Sequence, residues 1–353
     1  MKQILFRSLL ILSIALASCS DDDDPAPRGQ YDDGVLVINE GNFTDGDGSV
    51  TYFNRTSLEV EQTIFQTVNQ EPALGDVIQS GTSFNGLTYL VANNSNKVEV
   101  VNSFTFESQF TMSDVQLPRY MTVANGRGYL TEWVSFSDPG QVLIFNLETG
   151  MEETVIGVGS LPEDIVYVDG KLYVTEAFGS NALYVIDLEN DNTLDTLFLG
   201  NGTNQMLLDS DDHLWVACSG GSDSDSNPLN DGSLYRINTS SDEVELTIEL
   251  NTNYAGKIAT NAARNIIYFY VGNAVFSVNT SIAPNTNVND TPLFTVSEAI
   301  SLYGLGVDPT TGIIYVGDSK AFLDDGEVFR YNADGSFIDS FEVGRGPNGF
   351  LFN

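Results

Sequence analysis

Residues 161–188 read LPEDIVYVDGKLYVTEAFGSNALYVIDL, and three apolar runs of strand length are separated there by turns. Residues 117–147, LPRYMTVANGRGYLTEWVSFSDPGQVLIFNL, repeat the same order of apolar run, glycine turn and apolar run. Pro118 and Pro162 occupy matching positions, 44 residues apart (162 − 118). A period of this length predicts a repeat protein in which each unit is one supersecondary motif.

Six complete copies of the unit can be aligned along the chain. They begin near Leu74, Leu117, Leu161, Thr203, Tyr254 and Tyr303. Each copy reads as four short strands, A to D, rich in Val, Ile, Leu, Tyr and Phe and separated by Gly, Asn and Asp turns. No stretch after residue 30 has the period of an amphipathic helix, so the pattern predicts an all-β fold.

The two ends of the chain supply a seventh unit. Residues 34–67 contain strands B, C and D without a strand A, whereas residues 344–352, GRGPNGFLF, contain a strand A with nothing after it. Pairing the two halves closes the ring and removes both exposed edges. We therefore predict a single seven-bladed β-propeller over residues 34–353. A ring of six or eight blades is the alternative, because SIAPNTNVNDTP at 281–292 interrupts one repeat.

The first 33 residues lie outside the predicted propeller. Lys2 and Arg7 precede a mostly apolar stretch at 4–16, which is too short to span a bilayer. The following Leu-Ala-Ser-Cys at 16–19 resembles a bacterial lipoprotein signal, which implies that residues 1–18 are removed and that Cys19 is acylated. An ordinary secretory signal is the alternative. Residues 19–33, with four aspartates at 21–24, are predicted to form an acidic disordered tether.

Composition narrows the set of partners. The chain has 14 basic and 49 acidic residues, and its net charge of −35 repels nucleic acid and anionic membrane surfaces. We expect no nucleic-acid partner and membrane contact only through the lipid anchor. Cys218 is the one cysteine besides Cys19, so there is no disulfide framework and stability must come from the core.

Two motifs resemble known families. GKLYVTE and NALYVIDLEN, at 170–176 and 181–190, resemble the repeat of YVTN (YncE-like) propellers. GVLVINEGNF and GSVTYFN, at 34–43 and 48–54, together with the lipobox and tether, resemble surface lipoproteins of Bacteroidetes that partner TonB-dependent outer-membrane transporters. One branch of that group captures cobalamin. The resemblance implies an outer-membrane, cell-surface protein that captures a small molecule, with a corrinoid as the leading expectation, and passes it to such a transporter.

The B–C and D–A loops of a propeller share one face, where function is usually placed. Aligning these loops gives a predicted ligand-binding set. Its members are Glu40, Phe43, Asn93, Arg119, Tyr120, Glu132, Trp133, Phe136, Glu176, Phe178, Asn204, Tyr303 and Asp318. Aromatic faces would supply contact area and polar groups would fix orientation. The alternative for the recurring carboxylates is that they cap turns or hold blades together.

Two other functions remain open from the sequence. Glu40, Glu176, Asn204 and Asp318 are candidate ligands for a divalent ion in a lactonase-like hydrolase. A protein-interaction scaffold without a small ligand is the other alternative. The single histidine does not favour a nucleophilic triad. We expect binding without catalytic residues or a cofactor, and we interpret the Asp-rich stretches at 45–48 and 222–231 as solvated turns rather than metal sites.

Overall fold

The structure is a computed structural model that describes residues 28–190, 192–222, 228–250, 252, 256–283 and 291–353. The predicted signal peptide, the acylation at Cys19 and the tether up to residue 27 lie outside these residues. In the described part of the chain, no helix is long and apolar enough to cross a membrane.

The described residues form seven four-stranded antiparallel sheets arranged as the blades of a ring, which confirms the predicted fold. Blade 1 contains β1 (Gly34–Asn39), β2 (Ser49–Asn54) and β3 (Val60–Glu61); blade 2 contains β4 (Ile78–Phe84), β5 (Leu87–Ala92), β6 (Lys97–Asn102) and β7 (Ser108–Met112); blade 3 contains β8 (Pro118–Ala124), β9 (Arg127–Glu132), β10 (Gln141–Asn146) and β11 (Glu152–Gly157). Blade 4 contains β12 (Pro162–Val168), β13 (Lys171–Glu176), β14 (Ala182–Asp187) and β15 (Thr193–Phe198); blade 5 contains β16 (Thr203–Leu208), β17 (Leu214–Cys218), β20 (Ser233–Asn238) and β21 (Glu243–Glu249), with the hairpin β18 (Gly221–Ser222) and β19 (Pro228–Asn230) between its second and third strands. Blade 6 contains β22 (Ile258–Thr260), β23 (Ile266–Val271), β24 (Ala274–Asn279) and β25 (Phe294–Thr295); blade 7 contains β26 (Leu302–Val307), β27 (Ile314–Asp318), β28 (Glu327–Tyr331) and β29 (Phe337–Glu342); β30 (Pro347–Phe352) completes blade 1.

Pairing of β30 with β1 closes the ring, as the two half-units predicted. The strands run antiparallel, and Leu36 faces Leu351 in their register. Thus β30 is strand A of blade 1, and the pairing covers the edges of β1 and β30 that face each other. The interrupted repeat near residue 281 still forms a blade, although its strand D has only two residues, Phe294–Thr295. The ring therefore has seven blades rather than six or eight.

The core lies between the faces of neighbouring blades. All six residues of Gly34–Asn39 are buried, because the blade packs against a neighbour on both sides. One cluster joins Tyr129 and Val142 of blade 3 to Leu172 and Val174 of blade 4. Strands buried on both faces read as continuous apolar runs rather than as alternating patterns. Each such Val or Leu stabilises the fold by about 1.5–3 kcal/mol.

Two local elements depart from the sequence prediction. A six-residue helix, α1 (Ile64–Asn69), lies between β3 and β4, where no helix was predicted. Six residues are too few to show a helical period, and α1 is held by burial of Ile64 and Phe65 in a cluster with Tyr31. In the stretch at 222–231, predicted to be a solvated turn, residues 222 and 228–230 belong to the short β18–β19 hairpin, and residues 223–227 lie outside the described residues.

The loops divide the molecule into two faces. Connections B–C and D–A lie on one, which we call the loop face; for example, Ala177 N donates to Leu161 O at 2.9 Å between two such loops. The A–B and C–D turns form the opposite turn face. The first described residues, 28–31, lie at the turn face. There Tyr31 N donates to Phe104 O at 2.8 Å, and the Arg28 guanidinium carbon lies 3.7 Å from the Phe104 ring centroid.

Candidate functional site

Glu132, at the end of β9, is bound to strand C of its own blade and to the loop that precedes the blade. It is 2% exposed. Its Oε1 accepts from Gln116 N at 3.0 Å and its Oε2 from Gln141 Nε2 at 2.7 Å. Burial raises the pKa of this carboxyl, and the two hydrogen bonds oppose that rise. Glu132 therefore joins strand B to the preceding D–A loop.

Glu176 repeats this arrangement one blade later. Its carboxylate accepts from Ser160 N at 2.7 Å, Ser180 Oγ at 2.7 Å and the Tyr184 hydroxyl at 3.1 Å. Burial alone would raise its pKa, but the hydrogen bonds led by that from Ser180 outweigh burial and lower it. The carboxylate thus caps the loop between blades 3 and 4.

Asp318 and Asn93 also hold the backbone. Asp318 is 1% exposed and accepts from the amides of Ile300 at 2.9 Å and Ser301 at 2.8 Å. Asn93 Nδ2 donates to Pro118 O at 3.0 Å. Both fit the structural alternative for the recurring polar residues. Their role in ligand binding, like that of Glu132 and Glu176, stays a prediction.

Glu40 links the first and last blades beside the channel mouth. Its Oε2 accepts from the Tyr303 hydroxyl at 2.6 Å and from Asn348 Nδ2 at 3.1 Å. Burial and the neighbouring negative charge of Glu40 raise the pKa of Tyr303, so the phenol stays protonated and donates. This contact fixes both residues across the seam where the ring closes.

The four residues considered as metal ligands belong to four different blades of the ring. Glu40 follows β1, Glu176 ends β13, Asn204 lies in β16 and Asp318 ends β27. Among the residues that the structure describes, no group of three or more His, Cys, Asp or Glu is arranged to hold a metal ion.

Arg119 is the centre of a cleft on the loop face. Its Nε and Nη2 donate to the two carboxylate oxygens of Glu163 at 2.8 and 2.6 Å. Its guanidinium carbon lies 4.0 Å from the ring centroid of Trp133. Burial would lower the pKa of Arg119, but the carboxylate of Glu163 raises it, so the guanidinium stays charged. Arg119 and Glu163 occupy the same position in successive repeats.

Two further aromatic rings extend from Trp133 into solvent. Trp133 is buried and its Nε1 donates to Pro162 O at 3.0 Å. The ring centroids of Phe136 and Phe178 lie 5.5 and 5.4 Å from that of Trp133, and these side chains are 70% and 74% exposed. Phe178 has a φ of 55°, a strained value for a bulky residue.

The cleft has a volume of about 310 Å³ and lies among blades 3, 4 and 5. It brings together four predicted residues, Arg119, Trp133, Phe178 and Asn204, and adds Glu163, which the predicted set omitted. Opposite charges at matching repeat positions were the signal for Glu163. Phe136 borders the cleft through Trp133.

Other predicted residues lie elsewhere. Phe43 is 69% exposed in the B–C loop of blade 1, and Tyr303 is held against Glu40. Tyr120 faces the central channel, where its hydroxyl accepts from Gln79 Nε2 at 3.1 Å. The channel also contains Asp164 and Lys257, which the sequence analysis missed. Strand alternation was the signal for Asp164, since Tyr120 and Asp164 each follow an aligned loop position, Arg119 or Glu163, by one residue and both line the channel. No such signal in the sequence pointed to Lys257.

Comparison with known proteins identifies one matching family and several solved structures with a similar fold. A family model described as a domain of unknown function (DUF5074) matches residues 33–346. No curated protein matches the chain. A quinonprotein alcohol dehydrogenase-like protein from Bacteroides thetaiotaomicron VPI-5482 superposes with a TM-score of 0.71 at 14% identity, over 91% of this chain and 78% of that one.

Two other solved structures are similar. A functionally unknown protein from Desulfotomaculum acetoxidans DSM 771 gives a TM-score of 0.69 at 10% identity, over 91% of this chain and 98% of that one. A putative 6-phosphogluconolactonase from Bacteroides fragilis NCTC 9343 gives 0.64 at 14% identity, over 94% and 100%. At such identities the likeness shows the propeller fold alone.

Proposed function

The chain belongs to the family described as a domain of unknown function (DUF5074), and because that description names no activity, we propose from the cleft itself that it is a ligand-capture protein. It binds a small molecule on the loop face and releases it unchanged. In this proposal the mature chain is held at the cell surface by an acylated Cys19.

The observation that carries the proposal is the exposure of Phe136 and Phe178 around the Arg119–Trp133 contact. Neighbouring exposed aromatic side chains in a soluble protein mark an interaction site. Phenyl rings offer contact area at low cost in conformational entropy. The Arg119–Glu163 pair and Asn204 supply fixed polar groups beside them, which is the composition of a ligand site.

The ligand we favour is large, flat and rich in amide groups. The cleft of about 310 Å³ is small for such a molecule, so the ligand would lie across the loop face with Phe136 and Phe178 beneath it. A corrinoid such as cobalamin has this shape, and the resemblance of residues 34–54 to corrinoid-binding propellers supports it.

The partner in this proposal is a TonB-dependent transporter of the outer membrane, which receives the captured ligand. The lipobox at 16–19 and the acidic residues at 21–24 support surface anchoring. The net charge of −35 keeps the body soluble and away from anionic lipid.

A protein-docking role is the second candidate, and one observation favours it. Ile300 and Leu323 are 66% and 84% exposed on the loop face, far from the cleft in sequence. With Phe43 they widen the apolar surface beyond what one small ligand covers. A propeller that docks only a protein would use all of these side chains.

Calorimetric titration of the mature polypeptide, residues 20–353, distinguishes the two functions. Cobalamin and cobinamide are the test ligands, with haem and a ferric siderophore as controls. Binding of a corrinoid near one-to-one, lost in a Phe178→Ala variant, supports capture at the cleft. Absence of heat with all four ligands, from protein shown to be folded by circular dichroism, removes the corrinoid and favours docking.

A further inference from the structure

The central channel contains a second cavity, separate from the cleft. It has a volume of about 270 Å³ and is lined by residues from the inner strands of all seven blades. Its polar side chains include Gln79, Tyr120, Asp164, Gln205, Lys257 and Asn348. Ligand capture at the cleft, as proposed above, does not use these side chains.

Lys257 brings a positive charge into this channel and has no ion-pair partner among the residues that the structure describes. The other three lysines of the described residues pair with Glu99, Asp242 and Glu327. For Lys257, no carboxylate oxygen of the described residues lies within 4.0 Å of Nζ. Its ammonium lies 5.8 Å from the ring centroid of Tyr303, and its charge acts on Tyr120 across the channel.

Asp164 brings a negative charge into the same channel. Its Oδ2 accepts from Met206 N at 2.7 Å, and its Oδ1 accepts from Ile165 N at 2.9 Å. No cationic nitrogen of the described residues lies within 4.0 Å of this carboxylate. Burial raises the pKa of Asp164 to about 7, although the charge of Lys257 opposes the rise. The two opposite charges therefore interact across the channel without forming a salt bridge.

Asp164 and Lys257 are both partly buried in one channel and are not paired with each other, so a third group that contacts both would compensate their desolvation. A simple anion would pair with Lys257 but would meet Asp164 and the nearby Glu40. A simple cation would meet Lys257. A molecule with both charges at short separation satisfies both residues.

We propose that the channel binds a small zwitterion of the size of a free amino acid, with its carboxylate on Lys257 and its ammonium on Asp164. The Tyr120 hydroxyl accepts from Gln79, so its own proton is free to donate to the ligand carboxylate. Charge-assisted hydrogen bonds of this kind are among the strongest that a protein site offers. The cavity volume leaves room for a side chain of modest size.

The test is calorimetric titration of residues 20–353 at pH 8 with glycine, L-serine and L-leucine. Acetate and ethylamine, each carrying one of the two charges, are titrated in parallel. We expect at least one amino acid to bind near one-to-one, and both half-ligands to bind at least tenfold more weakly. Lys257→Met and Asp164→Asn should each weaken binding tenfold or more. Lys320→Met, which removes a lysine on the loop face, should leave it unchanged.

Several outcomes overturn the proposal. Absence of heat with all three amino acids from the folded protein excludes the site, and acetate binding as tight as an amino acid reduces it to an anion site. Equal affinity of wild type and Asp164→Asn also rejects the zwitterion. The half-ligand comparison needs no variant, so it decides even if a substituted chain fails to fold. Corrinoid binding at the cleft is measured separately and does not depend on Lys257.

Discussion

Arg119 stacks on Trp133, with its guanidinium carbon 4.0 Å from the ring centroid, while its other edge makes two hydrogen bonds to Glu163. A planar guanidinium suits both contacts at once, whereas a lysine ammonium would make neither in this form. The three side chains come from the B–C loop of blade 3 and the inner strands of blades 3 and 4. They therefore form a rigid floor from which Phe136 and Phe178 project.

Replacement of Phe178 by Ala should weaken ligand binding at least tenfold, about 1.4 kcal/mol, because it removes an exposed aromatic face from the cleft. Phe198→Ala is the matched control, since Phe198 is 73% exposed in the same blade but lies on its outer strand β15. Titration calorimetry with the corrinoid measures both variants. Equal losses in the two variants would mean that the cleft is not the binding site.

Replacement of Glu163 by Gln should destabilise the fold by about 2 kcal/mol, because Arg119 loses its partner while remaining largely covered. The double variant Arg119→Met/Glu163→Gln should recover part of this loss, since no uncompensated charge remains. Urea unfolding followed by tryptophan fluorescence gives the free energies. If Glu163→Gln is as stable as wild type, the pair contributes no more than an exposed ion pair does.

Asp164 predicts a fall in stability as pH rises. Its pKa is raised from 3.8 to about 7 in the folded chain, so the folded state holds this proton where the unfolded state has released it. Below about pH 4, Asp164 is protonated in both states and does not lower the free energy of unfolding. Its ionisation lowers that free energy progressively between about pH 4 and 7 and by a constant amount above, at most about 4 kcal/mol.

Urea unfolding of wild type and Asp164→Asn at pH 5 and pH 8 measures this effect. Wild type should lose stability relative to Asp164→Asn between the two values, because the amide does not titrate. Asp325→Asn, at an exposed loop aspartate, is the control and should follow wild type. Parallel behaviour of wild type and Asp164→Asn would mean that the carboxyl titrates normally.

Cys218 should not react with thiol reagents in the folded protein. It is completely buried in β17, and burial raises the pKa of its thiol to about 12, so thiolate is scarce at neutral pH. In residues 20–353 it is the single cysteine, and its labelling by a maleimide should track unfolding in urea. Rapid labelling without denaturant would show that blade 5 opens locally.

The fold could be predicted because each repeat carries its own strand pattern. The 44-residue spacing of Pro118 and Pro162 fixed the blade length, and the missing strand A before Gly34 required the pairing that Leu36 and Leu351 make. The helix at Ile64–Asn69 could not be predicted, because its stability comes from tertiary burial rather than from a local period.

The site was less accessible to prediction. Glu132, Glu176 and Asp318 recur in the sequence, but a repeat does not reveal whether a carboxylate faces solvent or a backbone amide of the adjacent loop. The structure places backbone amides against all three. To predict that Arg119 and Glu163 form a pair, one must know the distance between neighbouring blades, which sequence spacing alone does not provide. To predict that Asp164 and Lys257 line the channel, one must know that their side chains point toward the axis.

The position of Arg28 and Tyr31 at the turn face has a consequence for the route of a captured molecule. If Cys19 carries lipid, eight residues (27 − 19) separate it from Arg28, at most about 30 Å of chain. The turn face then looks toward the bilayer and the cleft looks outward, where arriving molecules meet it first. A transporter barrel in that same bilayer would lie on the side of the turn face. To deliver the ligand to it, the propeller would have to rotate on its short tether, so that the ligand would be bound in one orientation of the propeller and released in another.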